Sequence, residues 1–130
     1  MEIEMVIVTE SPLDPEIMFK SLRKENAGSV IFHYAVVKNR AGERMTSGIL
    51  FEINGDLESE LSEIEADIRS RWETCDILLA RRIGLLHIGD LISLVAVSSP
   101  ASDDAFDACR YGLGSIRKIV NIKKTELYLD

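Results

Sequence analysis

Basic side chains are concentrated in two parts of a chain that is acidic overall. The 130 residues carry 15 Lys and Arg against 22 Asp and Glu, a formal net charge of −7. Residues 52–76 contain nine acids and two basic residues, whereas residues 108–125 contain no acid and five basic residues: Arg110, Arg117, Lys118, Lys123 and Lys124. Further cations lie near predicted strand ends, at Lys38, Arg40, Arg44, Arg81 and Arg82.

If the fold brings these segments together, they form a basic pocket that attracts a small anion such as a phosphate or a carboxylate. The alternative is a solvated helix end and a charged edge strand that opposes aggregation.

The familiar catalytic motifs are missing from the sequence. It contains no GxSxG, GxGxxG, P-loop or HExxH pattern. His33 and His87 fall in different predicted strands without ligand spacing, so we expect packed or surface histidines and no metal site. Cys109 lies on the apolar face of a predicted helix and Cys75 begins a predicted strand. Redox or sulfur-carrying chemistry at either thiol is the less favoured interpretation.

Length and composition exclude several classes of protein. With 46% hydrophobic and 28% charged residues, the chain can bury a core, and its length predicts one domain over residues 1–130. The acidic balance argues against a protein that binds nucleic acid. The first residues, Met1-Glu2-Ile3-Glu4, are acidic where a signal peptide is basic, and no apolar run approaches the roughly 18 residues of a membrane helix. We therefore expect a cytoplasmic protein with no membrane association.

Apolar periodicity and turn residues predict six strands and three helices. The strands cover residues 2–9, 29–38, 44–53, 75–83, 91–98 and 120–129. The helices follow caps at Asp14 and Asp56 and the Ser99-Pro100 pair, the third running over about 102–118. Strands 29–38 and 44–53 are expected to form a hairpin. Because hairpins stand beside crossover helices, we predict an α+β fold with a mixed, mostly antiparallel sheet and three helices.

Each predicted helix has an expected buried face. In the first helix this face comprises Ile17, Met18 and Leu22; in the second it comprises Leu57, Leu61, Ile64, Ile68 and Trp72; in the third it comprises Phe106, Cys109, Leu113, Ile116 and Val120. Gly112 and Gly114 are unfavourable inside a helix, and we expect both to permit close packing.

Several ordered segments together resemble one known family. They are residues 82–90 (RIGLLHIGD), 95–100 (VAVSSP) and 105–111 (AFDACRY), supported by 9–15, 27–30, 69–72 and 122–124. Over nearly its whole length the chain resembles the large, catalytic subunit of molybdopterin synthase. The resemblance implies that family's α/β hammerhead fold, with which the predicted order of elements agrees.

The resemblance also implies a reaction and its partners. Members of this family convert cyclic pyranopterin monophosphate into the dithiolene molybdopterin, with no permanently bound cofactor. The sulfur arrives as a thiocarboxylate on the C-terminal glycine of a small ubiquitin-like subunit, whose tail enters a pocket of the large subunit. Two large subunits form a homodimer at the centre of a heterotetramer.

The resemblance assigns catalytic roles to residues near the C-terminus. Lys124 matches the lysine of the family's aromatic-Lys motif, although Lys123 replaces the aromatic residue. Such a lysine can transfer a proton or hold an acyl group. Arg117 stands where the family has a second important lysine, and arginine keeps the charge without giving up a proton. The adjacent Lys118 is the candidate replacement for that lysine.

Anion binding is implied at other positions. Lys38 stands where the family has an arginine, Arg40 lies two residues further on, and Arg82 matches a basic position of the family. The family's His-Arg pair at a helix start is replaced here by Ala101-Ser102. We expect Ser102, or the backbone N–H groups beside it, to bind phosphate in place of that pair.

Three functions remain open at this point, and the third is less favoured than the first two. The first is an active sulfurtransferase with a divergent pocket. The second is a non-catalytic relative that keeps the fold and a dimer or small-subunit interface. A shared fold does not fix function, so a relative that binds an unrelated anion is the third.

Overall fold

Three helices and eight strands make up residues 5–129, the part of the chain that this computed structural model describes. The strands are β1 (Val6–Thr9), β2 (Ser29–Val36), β3 (Arg40–Ala41), β4 (Arg44–Ile53), β5 (Asp76–Arg82), β6 (Gly84–His87), β7 (Leu91–Ser99) and β8 (Ile122–Tyr128). The helices are α1 (Pro15–Ser21), α2 (Leu57–Arg71) and α3 (Ser102–Ile116). The predicted α+β class with three helices is confirmed. The start of the first predicted strand, residues 2–4, lies outside the described residues.

Predicted caps begin the first two helices. The Asp14 carboxylate accepts hydrogen bonds from the N–H groups of Glu16 and Ile17, and the Asp56 carboxylate accepts one from Ser59. These bonds satisfy backbone donors that a helix start leaves free. Within the described residues, no helix has the length and apolar character that crossing a membrane requires.

The first sheet has the strand order β1-β5-β7-β2, with β1 parallel to β5 and the other pairs antiparallel. One face packs against α2 and α3 around Leu61, Ile68, Leu79 and Val95. The other face carries a smaller cluster in which Met18 of α1 packs on the sheet. Both faces of β5 and β7 are therefore buried, which explains their nearly continuous apolar sequences.

The second sheet is built around β4, which pairs antiparallel with β3, β6 and β8. The expected single sheet is therefore two, and the expected hairpin between 29–38 and 44–53 is wrong because β2 pairs with β7 in the first sheet. The observed hairpin joins β3 to β4 through Gly42, whose φ of 67° suits glycine.

The segment between predicted strands 75–83 and 91–98 contains an additional strand, β6, which lies against β4. The two backbones approach closely at Gly48, where a Cβ atom would lie 2.2 Å from the carbonyl oxygen of Leu86. Only glycine leaves room for this approach, so Gly48 sets how tightly β6 packs on β4.

The buried face of α3 agrees only in part with the predicted one, since Cys109 and Ile116 are buried as expected but Phe106 and Val120 are not. Its fully buried positions are mostly small: Ala105, Ala108, Cys109, Gly112 and Ile116. Phe106 is 52% exposed and Val120, beyond the end of the helix, is 74% exposed. Small residues at the contact bring the helix close to the sheet, and this leaves no space there for a phenylalanine.

The two glycines of α3 differ from each other in how closely they pack against neighbouring residues. A Cβ atom on Gly112 would lie 3.1 Å from the side chains of both Ile68 and Val95, so the predicted close packing is present there. Gly114 has open space beside it, which contradicts the prediction for that residue. In α1, Met18 and Leu22 are buried as expected, whereas Ile17 is exposed.

A buried carboxylate links α2 and the segment after α1 to the first sheet. Asp76 at the start of β5 accepts a hydrogen bond from the backbone N–H of Arg23 at 2.8 Å and ion pairs with the Arg23 and Arg69 side chains at 3.3 Å. Burial alone raises the pKa of Asp76, but these hydrogen bonds outweigh it and hold the pKa below the usual value.

Candidate active site

Two cation-lined pockets meet at Lys124. The first, called here the Arg81 pocket, has a volume of about 440 Å³ and is lined by Arg81, Arg117 and Lys124 together with mostly apolar side chains. The second, the Lys38 pocket, has a volume of about 460 Å³ and is lined by Lys38, Arg40 and Lys124. Lys124 and Ile92 belong to both linings, so the two pockets are neighbours.

The floor of the Arg81 pocket is a row of residues across the first sheet. Ala35 on β2, Ser93 on β7 and Arg81 on β5 are register partners in adjacent strands. Because alternate residues of a strand share a face, Arg81 lies on the same face as Leu79, which packs against α2 and α3. This face brings Arg81 beneath the last turn of α3.

The walls come from α3 and the second sheet. Leu113 and Ile116 of α3 form one side. Phe51 on β4 and Lys124 on β8, which are register partners, form the opposite side. The pocket thus lies at the junction of the two sheets, and its shape depends on how they pack together.

Arg81 is a buried cation. Its relative exposure is 7%, and its guanidinium carbon lies 4.3 Å from the centre of the Phe51 ring. The Nε atom is buried and has no hydrogen-bond partner. Burial lowers the pKa of Arg81 to about 10, so the side chain remains charged at neutral pH. Arg81 is one of the cations near predicted strand ends, but it is not among the predicted site residues.

The amine of Lys124 pairs with a carboxylate on the same strand. Its Nζ lies 3.3 Å from Oε1 of Glu126, two residues along β8 and therefore on the same face. The other carboxylate oxygen of Glu126 is buried without a hydrogen-bond partner. Glu126 also lines the Lys38 pocket, and it holds the lysine amine at the boundary between the pockets.

The two consecutive cations at the end of α3, Arg117 and Lys118, have different surroundings. Arg117 is the C-cap residue of this helix and lines the Arg81 pocket with Lys124. Lys118 is exposed and is not part of either lining. The structure therefore brings Arg117, and not Lys118, together with Lys124.

The Lys38 pocket is lined by the two predicted cations that follow β2, Lys38 and Arg40. Lys38 comes two residues after Val36, the exposed last residue of that strand, and Arg40 lies on the short strand β3. The Arg40 side chain donates a hydrogen bond to the carbonyl oxygen of Glu43 at 3.3 Å, which keeps it beside the pocket. Tyr128 of β8 completes this side, with the Arg44 guanidinium 3.6 Å from its ring centre.

Two predicted anion-binding residues lie elsewhere. Arg82 points to the sheet face opposite Arg81 and ion pairs with Asp90 at 3.1 Å. Ser102 is the first residue of α3, with its hydroxyl 2.6 Å from that of Ser29. It lies about 21 Å from the pocket end of this helix, since each helical residue adds about 1.5 Å. Within one chain, neither residue joins the cluster around Lys124.

Neither thiol is activated. Burial raises the pKa of Cys109 to about 11. Burial, with the nearby charge of Glu73, also raises the pKa of Cys75. Both groups are therefore protonated at neutral pH and poor nucleophiles. Across residues 5–129, no group of three or more His, Cys, Asp and Glu side chains is placed to hold a metal ion.

Fold and site together define an α+β protein in which two cation-lined pockets share one lysine, an arrangement suited to bringing two small anionic groups together. The description "MoaE protein" belongs to a family model that matches residues 8–119. The chain belongs to this family.

Known proteins of this kind resemble the chain over most of its length. The molybdopterin synthase catalytic subunit of Bacillus subtilis is 30% identical over 124 residues, covering 95% of this chain and 79% of the relative. The crystal structure of molybdopterin synthase from Staphylococcus aureus superimposes with a TM-score of 0.90 at 28% identity, covering 99% of this chain and 95% of that chain. The resemblance and the fold expected from it are thus confirmed.

A more distant structure shares the fold. It belongs to a complex of subunits 1 and 2 of molybdopterin-converting factor from Helicobacter pylori, with a TM-score of 0.75 and 13% identity over 98% of this chain and 91% of that chain.

Proposed function

We propose that this chain is the catalytic subunit of a molybdopterin synthase, a sulfurtransferase acting on cyclic pyranopterin monophosphate to give molybdopterin. The observation that carries the proposal is the position of Lys124 at the boundary of two cation-lined pockets. The reaction has to bring together two anionic groups, the substrate phosphate and the thiocarboxylate that delivers sulfur. Two adjacent pockets with cations suit that requirement.

Each cation has a role that follows from its chemistry. Arg117 stays charged at any physiological pH, so it binds and orients an anion but transfers no proton. Lys38 and Arg40 provide the positive charge of the second pocket. Lys124 is the group that can move a proton or hold the acyl group of the sulfur donor, and Glu126 orients its amine.

The proposal includes a protein partner. The sulfur donor is a small ubiquitin-like subunit whose C-terminal tail enters one of the pockets, and two copies of this chain form the centre of a heterotetramer. The complex of the two H. pylori subunits, which contains the same fold, supports association with a second kind of subunit. The cytoplasm is the proposed location, since two free thiols suit a reducing compartment.

Reconstitution tests the proposed function directly. The purified chain is mixed with the thiocarboxylated small subunit from the same cell and with the cyclic precursor, and molybdopterin is measured as its fluorescent oxidation product. We expect product well above a control without the chain. A matched reaction with a small subunit that ends in a carboxylate should give none, because it carries no transferable sulfur.

A non-catalytic relative is the second candidate. It is favoured by the neutral pair Ala101-Ser102, because the Ser102 hydroxyl is engaged with Ser29 far from Lys124. A stable complex with the small subunit on gel filtration, without product, would establish this second candidate. Absence of both complex and product would contradict both candidates.

A further inference from the structure

Arg81 carries a buried positive charge that nothing else in the described structure neutralises. Its exposure is 7%, and its Nε atom is buried without a hydrogen-bond partner. Among residues 5–129, no carboxylate forms an ion pair with it. The adjacent Arg82 pairs with Asp90. Of these two neighbouring arginines of β5, Arg82 therefore has a carboxylate partner and Arg81 has none among the described residues.

A buried, unpaired guanidinium is unfavourable in a folded protein. Removal of a charge from water is costly unless an opposite charge or hydrogen bonds compensate. The Phe51 ring lies 4.3 Å from the guanidinium carbon and gives a cation–π contact. That contact offsets only part of this cost and satisfies none of the N–H donors of the guanidinium.

Arg81 lines a pocket together with two further cations, Arg117 and Lys124. Three positive charges around a volume of about 440 Å³ repel one another when the pocket holds only water. An oxyanion would relieve this repulsion and would accept hydrogen bonds from the Arg81 edge, since a planar guanidinium matches carboxylate and phosphate oxygens in pairs.

We propose that Arg81 binds an oxyanion of the ligand at the floor of the Arg81 pocket, beside Arg117 and Lys124. The identity of this ligand rests on the proposed function, which offers two sources. One is the phosphate of the substrate, and the other is the terminal carboxylate or thiocarboxylate of the partner's tail. The binding itself requires no turnover, so it is measured apart from sulfur transfer.

Calorimetric titration of the chain with two probes tests the proposal. The probes are inorganic phosphate and acetyl-Gly-Gly with a free C-terminal carboxylate, each in a buffer without other oxyanions. We expect at least one probe to bind the wild-type chain, and Arg81→Met to weaken that binding by about tenfold or more, the scale of a lost charge-assisted hydrogen bond. Preference for phosphate identifies the substrate as the source. Preference for the peptide, lost when its C-terminus is amidated, identifies the tail.

Arg110→Met is the matched control. It removes the same charge from an exposed position of α3, where Arg110 pairs with Asp107 at 3.3 Å, and should leave the affinity unchanged. A merely structural Arg81 predicts a lower melting temperature for Arg81→Met and unaltered affinity. The proposal predicts the reverse, because methionine removes an unpaired buried charge while keeping an apolar stem on Phe51.

A second measurement uses the unaltered chain, in case Arg81→Met does not fold. The Nε–H resonance of Arg81, assigned with Arg81→Lys, should shift during the titration and saturate with the same affinity as the calorimetric signal. No binding of either probe, binding without a shift of this resonance, or wild-type affinity in folded Arg81→Met would each overturn the proposal. Probe binding by a chain that fails to make molybdopterin would instead contradict only the proposed function.

Discussion

Arg81 and Lys124 reach the same pocket from two different sheets, and Phe51 connects them. The Phe51 ring lies 4.3 Å from the Arg81 guanidinium carbon, and its backbone is the register partner of Lys124 on β8. The distance between the two cations is therefore set by the packing of the first sheet on the second. Changes that move β4 or β8 should alter the site even when no lining residue is replaced.

Glu126→Gln should impair turnover without weakening the fold. The substitution keeps the size of the side chain but removes the charge 3.3 Å from the Lys124 amine, which then samples other positions. We expect kcat to fall by between about 10- and 100-fold, the scale of a misplaced catalytic group, with KM for the precursor unchanged. Steady-state kinetics of the reconstituted enzyme measure both constants.

The control for this experiment is Glu52→Gln. Glu52 is an exposed residue of β4 opposite Lys123 and lies outside both pocket linings. It should leave kcat and KM as they are. Equal kcat values for Glu126→Gln and the wild type would show that Glu126 does not position the lysine.

Gly48→Ala should separate β6 from β4. The added Cβ atom would lie 2.2 Å from the carbonyl oxygen of Leu86, so backbone has to move. We expect a loss of about 2 kcal/mol in the free energy of unfolding, measured by urea denaturation. Gly114→Ala is the contrasting variant, because its Cβ meets open space within a helix and should gain up to about 1 kcal/mol. Equal effects of both variants would contradict the close approach of β4 and β6.

Asp76→Asn should destabilise the chain in a pH-dependent way. The pKa of Asp76 is lower in the folded chain than the value of about 3.9 expected on unfolding. Its ionised form therefore stabilises the fold above about pH 4, and this contribution disappears as the pH falls through the folded pKa. At pH 7 we expect the variant to lose about 3 kcal/mol, because Arg23 and Arg69 lose a buried partner.

The pH series supplies the check on Asp76. The difference in unfolding free energy between wild type and variant should shrink on acidification below pH 4. Asp107→Asn, at an exposed ion pair with Arg110, should cost less than about 1 kcal/mol at pH 7. A deficit for Asp76→Asn that stays constant down to the lowest pH of the series would show that the ionised carboxylate is not what stabilises β5.

Local signals in the sequence predicted the helices well. Asp14 and Asp56 act as caps in the structure, and Leu57, Leu61 and Ile68 of the predicted stripe in α2 are buried in the main core. These features depend on neighbours three or four residues away, and such information is contained in the local sequence.

Strand pairing depended on distant residues and was harder to predict. Strands 29–38 and 44–53 have the alternation and the turn residues of a hairpin, yet β2 pairs with β7, which lies more than 50 residues further along the chain. Likewise, α3 buries its small residues and leaves Phe106 exposed. The reason is that the helix packs close to the sheet, which its local sequence does not show.

The site was predicted in part. The structure brings together four of the predicted residues, Lys38, Arg40, Arg117 and Lys124, whose roles remain predictions. Choosing Arg82 instead of Arg81 overlooked the alternation along β5, in which Ile77, Leu79 and Arg81 share one face. That alternation was visible in the sequence, but the position of α3 above this face was not.

Turnover of Lys124→Ala in the reconstituted reaction tests the central claim most directly. The comparison is with Lys123→Ala, which removes the adjacent lysine of β8, outside both linings. We predict that Lys124→Ala binds the small subunit and melts like the wild type but forms molybdopterin at least about a hundredfold more slowly, the usual scale for a proton-transfer group. Lys123→Ala should keep most of the activity. Wild-type turnover by Lys124→Ala would show that the lysine shared by the two pockets is not the catalytic group.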